Sequence, residues 1–117
     1  MNLTNELDIQ SAFVGATIAA SSISLMVIHM YKDIITYKSK SKYNVNQIYN
    51  LSILSSSIFL IVTIYFYISS YEQLQNEKTQ ANLDYNIANA LSLTAQSIRL
   101  NTILKYPESI TGIQDII

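Results

Sequence analysis

Cysteine and tryptophan are absent from the 117 residues, proline and arginine occur once each, histidine once and glycine twice. Without cysteine there is no disulfide, no thiolate metal ligand and no cysteine nucleophile, and the redox compartment stays open. His29 alone does not make a zinc site, and two glycines do not make a phosphate-cradling loop. No catalytic residue, metal site or cofactor bound by this chain is therefore expected. Charge is also scarce: 13% of residues are charged and the net charge is -1, against about a quarter charged in soluble proteins. Nucleic-acid phosphates need several clustered Lys or Arg, so nucleic acid is not an expected partner. Ile, Asn, Tyr and Lys are abundant instead, a bias that AT-rich coding produces by itself and that hints at an organellar or viral genome. The length suits one unit, so residues 1–117 are read as a single membrane domain.

Charge-free stretches fill the space left by the missing charges. None of the residues from Ser11 to Tyr31 carries a fixed charge, and roughly 20 helical residues cross the ~30 Å hydrocarbon layer. The residues before this run include Glu6 and Asp8 rather than Lys or Arg, unlike a signal peptide. A second charge-free run extends from Tyr43 to Tyr71, densest in apolar residues at Ile58–Phe66. The expected fold is an all-α membrane protein with three transmembrane helices at approximately 11–31, 48–70 and 85–104, the third more polar than the others.

Lys32, Lys38, Lys40 and Lys42 lie between the first two runs against one acid, Asp33, whereas Glu72, Glu77 and Asp84 follow the second against Lys78. The positive-inside rule puts the first loop on the cytoplasmic or matrix side and the N-terminus outside. Tyr31, Tyr43 and Tyr49 near one end, with Tyr65, Tyr67 and Tyr71 near the other, suit interfacial belts, although AT-rich coding also supplies tyrosine.

The third segment contains Asn86, Asn89, Ser92, Gln96 and Asn101, with Arg99 near its end. At 100° per residue Tyr85, Asn89, Ser92, Gln96 and Arg99 share a face, while Leu83, Ile87, Leu91, Ala95 and Ile98 gather opposite. In a bilayer that polar stripe must meet protein or water, because an unsatisfied polar group in lipid costs several kcal/mol. Outside it, the segment is an amphipathic helix at the interface. Spanning is the reading adopted: Lys105 and Pro107 end the segment at the right length, and Arg99 can snorkel towards the basic side. The C-terminus is then inside.

Ala12, Ala16, Ala20 and Ser24 recur every four residues of the first span, with Gly15, Ala19 and Ser22 beside them. Small residues let helix backbones approach closely in lipid, so Ala12, Gly15, Ala16, Ala19 and Ala20 are the expected helix-packing face, with Ser52, Ser55 and Ser56 opposite. Gln47, Asn89, Ser92 and Gln96 are the candidates for a polar network or proton path, as interhelical amides rather than titrating groups. His29, two residues before Tyr31, lies near the interface, where an imidazole reaches headgroups or water. Arg99 is the fixed charge inside a candidate span, to be partnered by a neighbouring subunit's carboxylate, a lipid phosphate or backbone carbonyls.

The run Thr94-Ala95-Gln96-Ser97-Ile98-Arg99-Leu100, continuing Asn101-Thr102-Ile103-Leu104-Lys105-Tyr106, resembles the third helix of subunit 4L of respiratory complex I, the proton-pumping NADH:ubiquinone oxidoreductase. That family has a run like Ala-Glu-Ala-Ser-Ile-Gly-Leu there, and shares the three short helices, the outside N-terminus and the basic first loop. The departures lie at the acids. A gap-free match puts Ala95 at the acidic position and a one-residue deletion puts Gln96 there; the second-helix acid is also missing, Gln47 being the closest amide. The resemblance implies a non-redox membrane-arm subunit in the mitochondrial inner membrane. It further implies an N-terminus on the intermembrane-space side, with the first loop and C-terminus in the matrix. Partners would be other hydrophobic subunits of the complex, and lipid, while redox cofactors lie in other subunits. Proton translocation or assembly would be the role supported, within electron transport from NADH to ubiquinone. The rival from another class is a small structural membrane protein of a viral membrane, or an accessory subunit of another energy-transducing complex.

Overall fold

Residues 3–106 are described by a computed structural model of the chain. Three helices follow one another: α1 Leu3–Tyr37, α2 Val45–Asn76 and α3 Gln80–Lys105. There is no strand among the described residues, so the all-α expectation holds. α1 and α2 are long and apolar enough to cross a membrane; α3 does not meet that measure. The helices overrun the charge-free runs at their ends, α1 beginning at Leu3 rather than near Ser11 and ending at Tyr37 rather than Tyr31. Absence of charge marks apolar residues, whereas a helix continues until its backbone is capped or turned.

Those stops are local and identifiable. Lys38 takes φ 49°, in the left-handed region, at the start of a short 3₁₀ turn Lys38–Lys40. The Ser41 N–H donates to the Lys38 carbonyl at 3.0 Å, the Ser41 hydroxyl donates to Asp33 Oδ2, and the Tyr43 N–H donates to Ser41 Oγ at 3.2 Å. The loop is thus tied back to α1. A left-handed side-chain-bearing residue costs about 1–2 kcal/mol, and glycine's extra chain entropy returns about 0.5–1 of that. Lys38→Gly is therefore expected to stabilise the chain by roughly 0.5–1 kcal/mol, read as a higher midpoint in denaturant titration of the detergent-solubilised protein.

α2 opens on a capping box. The Gln47 N–H donates to Asn44 Oδ1 at 2.9 Å, and the Asn44 N–H donates to Gln47 Oε1 at 2.8 Å, which satisfies two otherwise orphaned donors. α3 opens on Thr79, whose Oγ1 accepts from the Asn82 N–H at 3.1 Å. The Asn82 side chain reaches back to the Glu77 carbonyl at 2.7 Å. α3 ends at Lys105, with the Tyr106 N–H donating to the Thr102 carbonyl at 2.8 Å. Pro107, expected to help end it, lies outside the described residues, as does the C-terminus.

Short connections make the successive helices antiparallel neighbours, and α2 is central: it packs along both α1 and α3. The α1–α2 register follows from pairs along its length. Phe13 stacks on Tyr65 with ring centroids 4.0 Å apart, the Ser24 and Ser55 hydroxyls lie 2.7 Å apart, and Met30 and Ile34 pack with Ile48 near the lysine end. Tyr31 and Tyr43 cover that last cluster. Tyr65 is accordingly a packing residue between helices, rather than one spaced freely in an interfacial belt.

The α1 face used is narrower than the small-residue stripe expected from the sequence. Phe13, Ala20, Val27 and Ile34 recur every seven residues, with Thr17, Ser24 and Tyr31 between them, and all are buried or half-buried. This is the 3.5-residue seam of left-handed helix pairs. Ala20 is fully buried and Ala16 half-buried, as a packing face requires, but Ala12, Gly15 and Ala19 are exposed. A Cβ placed on Gly15 meets nothing within 4 Å. An every-fourth-residue stripe drifts about 40° around the helix per step, so its ends leave the face that α2 covers.

Candidate functional site

Two features of α3 bear on function: the side it turns to α2 and the wall it raises opposite α1. Asn82, Asn86, Asn89, Leu93, Gln96, Leu100 and Ile103 alternate steps of four and three, and each is half-buried or buried. This is again a 3.5-residue seam, laid on α2. Four of its seven members are amides. Asn86 Nδ2 donates to Ser70 Oγ at 3.3 Å, and the buried Ser70 hydroxyl in turn donates to the Tyr67 carbonyl at 3.0 Å. Gln96 Oε1 and Ser56 Oγ are buried and have no hydrogen-bond partner among the described residues.

Much of the outward surface of α3 is apolar, although Asp84, Ser92, Ser97, Arg99 and Asn101 are exposed as well. Leu83, Ile87, Leu91, Ile98 and Leu104 are all exposed, Leu91 to 67%. The outward Thr94 hydroxyl is already satisfied, donating to the Ala90 carbonyl at 2.9 Å. On α1 the exposed Ser22 hydroxyl does the same to the Ile18 carbonyl at 3.0 Å. A soluble amphipathic helix turns its amides out and its leucines in. In α3 much of that pattern is reversed.

The polar network expected from the sequence is brought together only in part. Asn89 and Gln96 both lie on the seam, one helical heptad apart. Ser92 is exposed on the flank, on the same side as Tyr85 and Arg99. Gln47 sits at the start of α2 with its side chain committed to the capping box, away from the other three. His29 is exposed on α1. Sequence periodicity missed Asn82 and Asn86 because the stripe through Tyr85, Ser92 and Arg99 has the same spacing as the true seam. The repeated amides at 82, 86, 89 and 96 were the available signal.

Hydroxyls hold α1 on α2. Ser55 Oγ donates to the Ala20 carbonyl at 3.0 Å, which leaves Ser24 to donate to Ser55 Oγ at 2.7 Å. Ser52, Ser55 and Ser56 are all buried, so the small serine face expected on α2 is present. Above it, α1 and α3 straddle α2 and leave a groove at each end. Near the lysine end a groove of about 420 Å³ has Val27, Ile28 and Ile103 as apolar walls, with Ser24, Ser52 and Thr102 as hydroxyls. Arg99 lines the same groove. It has no ion pair or hydrogen bond among the described residues. Near the opposite end, Gln10 faces Tyr85 and Asn89 across a smaller groove of about 190 Å³.

No group of three or more His, Cys, Asp or Glu is placed to hold a metal ion among the described residues. No family model, curated protein or solved structure matches this chain.

Proposed function

We propose that this chain is a three-span, non-redox subunit of a larger membrane complex, and that the complex is the proton-pumping NADH:ubiquinone oxidoreductase. The observation that carries the first part is the reversed polarity of α3. Four of its amides, Asn82, Asn86, Asn89 and Gln96, are packed on the α2 side, while Leu83, Ile87, Leu91, Ile98 and Leu104 are exposed, an arrangement that suits a helix surrounded by hydrocarbon. The apolar windows of α1 and α2 support the same reading, since only 6% and 22% of their residues are buried within the chain. A soluble protein rarely exposes a continuous apolar surface larger than a few hundred Å².

The assignment to complex I rests on the resemblance of the Thr94–Leu100 run. α3 is laid out with Gln96 on the seam and Ser97 and Ile98 outside it. In this reading the chain sits in the mitochondrial inner membrane, with the lysine loop and C-terminus in the matrix. Neighbouring hydrophobic subunits cover its open faces. With no carboxylate at Ala95 or Gln96, the chain contributes seam amides that hold water through Asn89 and Gln96, rather than a titrating relay.

Purification of the native chain in mild detergent, with mass spectrometry of its companions, is expected to recover complex I membrane subunits and NADH:ubiquinone activity. Recovery in a virion, or in an assembly without that activity, removes the assignment. Within the assembled complex, the double substitution Asn89→Leu and Gln96→Leu is expected to lower proton pumping at least about twofold while NADH oxidation continues. Unchanged pumping counts against the water network.

A further inference from the structure

We propose that the groove lined by Arg99 is a binding site for the phosphate headgroup of an anionic phospholipid, drawn from the leaflet on the lysine side. The proposal rests on the membrane-spanning reading of α3. Arg99 lies six residues before Lys105, about 9 Å along the helix, just inside the hydrocarbon edge. An arginine at that depth needs a partner, and the described residues supply none.

Three properties of the groove select a lipid phosphate as that partner. First, the guanidinium is a planar fork of donors suited to phosphate oxygens, with the Ser52 and Thr102 hydroxyls available around the same space for the remaining oxygens. Second, the Val27, Ile28 and Ile103 walls continue the site as an apolar slot, which a free phosphate ion leaves uncovered and an acyl chain fills. Third, Lys32, Lys42 and Lys105 are exposed at the same end of the helices, so the groove opens where anionic lipid is concentrated. The groove's 420 Å³ falls within the roughly 300–1,000 Å³ usual for small-molecule sites.

The obvious rival occupant, a carboxylate on a neighbouring transmembrane helix, uses the same fork but not the slot and hydroxyls together. The test uses the full chain in neutral detergent, with native mass spectrometry against phosphatidylglycerol and phosphatidylcholine of identical acyl chains. One phosphatidylglycerol per chain is expected to be retained at about tenfold lower lipid concentration than phosphatidylcholine. Arg99→Gln is expected to abolish that preference with helicity by circular dichroism unchanged, and Arg99→Lys to keep part of it.

Equal retention of the two lipids by the unaltered chain overturns the proposal. So does a preference that survives Arg99→Gln but disappears in the combined Lys32→Gln and Lys42→Gln variant, because the rim would then be the site. Displacement of the lipid by millimolar inorganic phosphate overturns the commitment to lipid. Release of the chain from native membranes by alkaline carbonate overturns the spanning reading itself. A chain that stays inserted with all three spans, yet shows no Arg99-dependent preference, overturns the lipid site alone.

Discussion

Leu91→Lys is expected to expel α3 from the bilayer while α1 and α2 remain inserted. Leu91 lies near the middle of α3 and is 67% exposed on the side turned away from α2. At the centre of a spanning helix, leucine contributes about -0.3 to -0.6 kcal/mol to insertion and lysine opposes it by about 2.5–3.5 kcal/mol. The exchange therefore shifts insertion by about 3–4 kcal/mol, more than a hundredfold. α3 has little reserve to absorb this, because its seam is already built from amides and it falls short of the apolarity that α1 and α2 have. On an exposed helix in water the same exchange changes stability by less than about 0.5 kcal/mol. A glycosylation acceptor appended beyond residue 117, in a microsomal insertion assay, reads the difference as a switch in the side occupied by the C-terminus. Unchanged glycosylation and unchanged extraction by carbonate place α3 outside the membrane.

Ala20→Leu is expected to separate α1 from α2. Ala20 is fully buried, and its carbonyl accepts from Ser55 Oγ, which is itself bonded to Ser24. Extra carbons at this crossing force the backbones apart, at a cost of about 1–3 kcal/mol for overpacking. The two interhelical hydrogen bonds lost with it contribute about 0.6 kcal/mol each in membrane proteins. A total of about 2–4 kcal/mol follows, measured by denaturant titration of the isolated chain in detergent micelles. Ala19→Leu is the control, since Ala19 is exposed one position along and the change there is expected to stay within about 0.5 kcal/mol. Equal losses at the two positions contradict the register of the α1–α2 pair.

The first two helices were legible because a charge-free run is a coarse signal that no neighbour needs to interpret. Their true ends were less so: α1 continues through Lys32 and Asp33 until Lys38 turns left-handed, and nothing in hydropathy marks that turn. The start of α2 was available in the sequence as Asn44 followed three residues later by Gln47, the pattern of a capping box. Reading Gln47 as a network residue overlooked this local use. The seam of α3 was legible only to within a rotation. A stripe through Tyr85, Asn89, Ser92, Gln96 and Arg99 and a stripe through Asn82, Asn86, Asn89, Leu93 and Gln96 have the same spacing. Only the position of α2 decides between them.

The Arg99 groove needed all three helices at once. Ser24, Ser52 and Thr102 are ordinary small polar residues in sequence, separated by tens of positions, and they share a space because α2 runs antiparallel to both neighbours. The hydroxyls that stay exposed illustrate a related point. Ser22 and Thr94 lower the apparent hydropathy of their helices, yet each donates to the carbonyl four residues earlier, which removes most of the cost of facing lipid.

The central claim is that α3 crosses the membrane, and the sidedness of its C-terminal end tests it most directly. Because the chain has no native cysteine, Ser39→Cys in the first loop and Lys105→Cys at the end of α3 each introduce a single thiol, both at exposed positions. In sealed vesicles of known orientation, a membrane-impermeant maleimide is expected to label both thiols from the same side, with Lys78→Cys labelled from the other. Labelling of Lys105→Cys from the side that labels Lys78→Cys, and not from the side that labels Ser39→Cys, contradicts the three-span account.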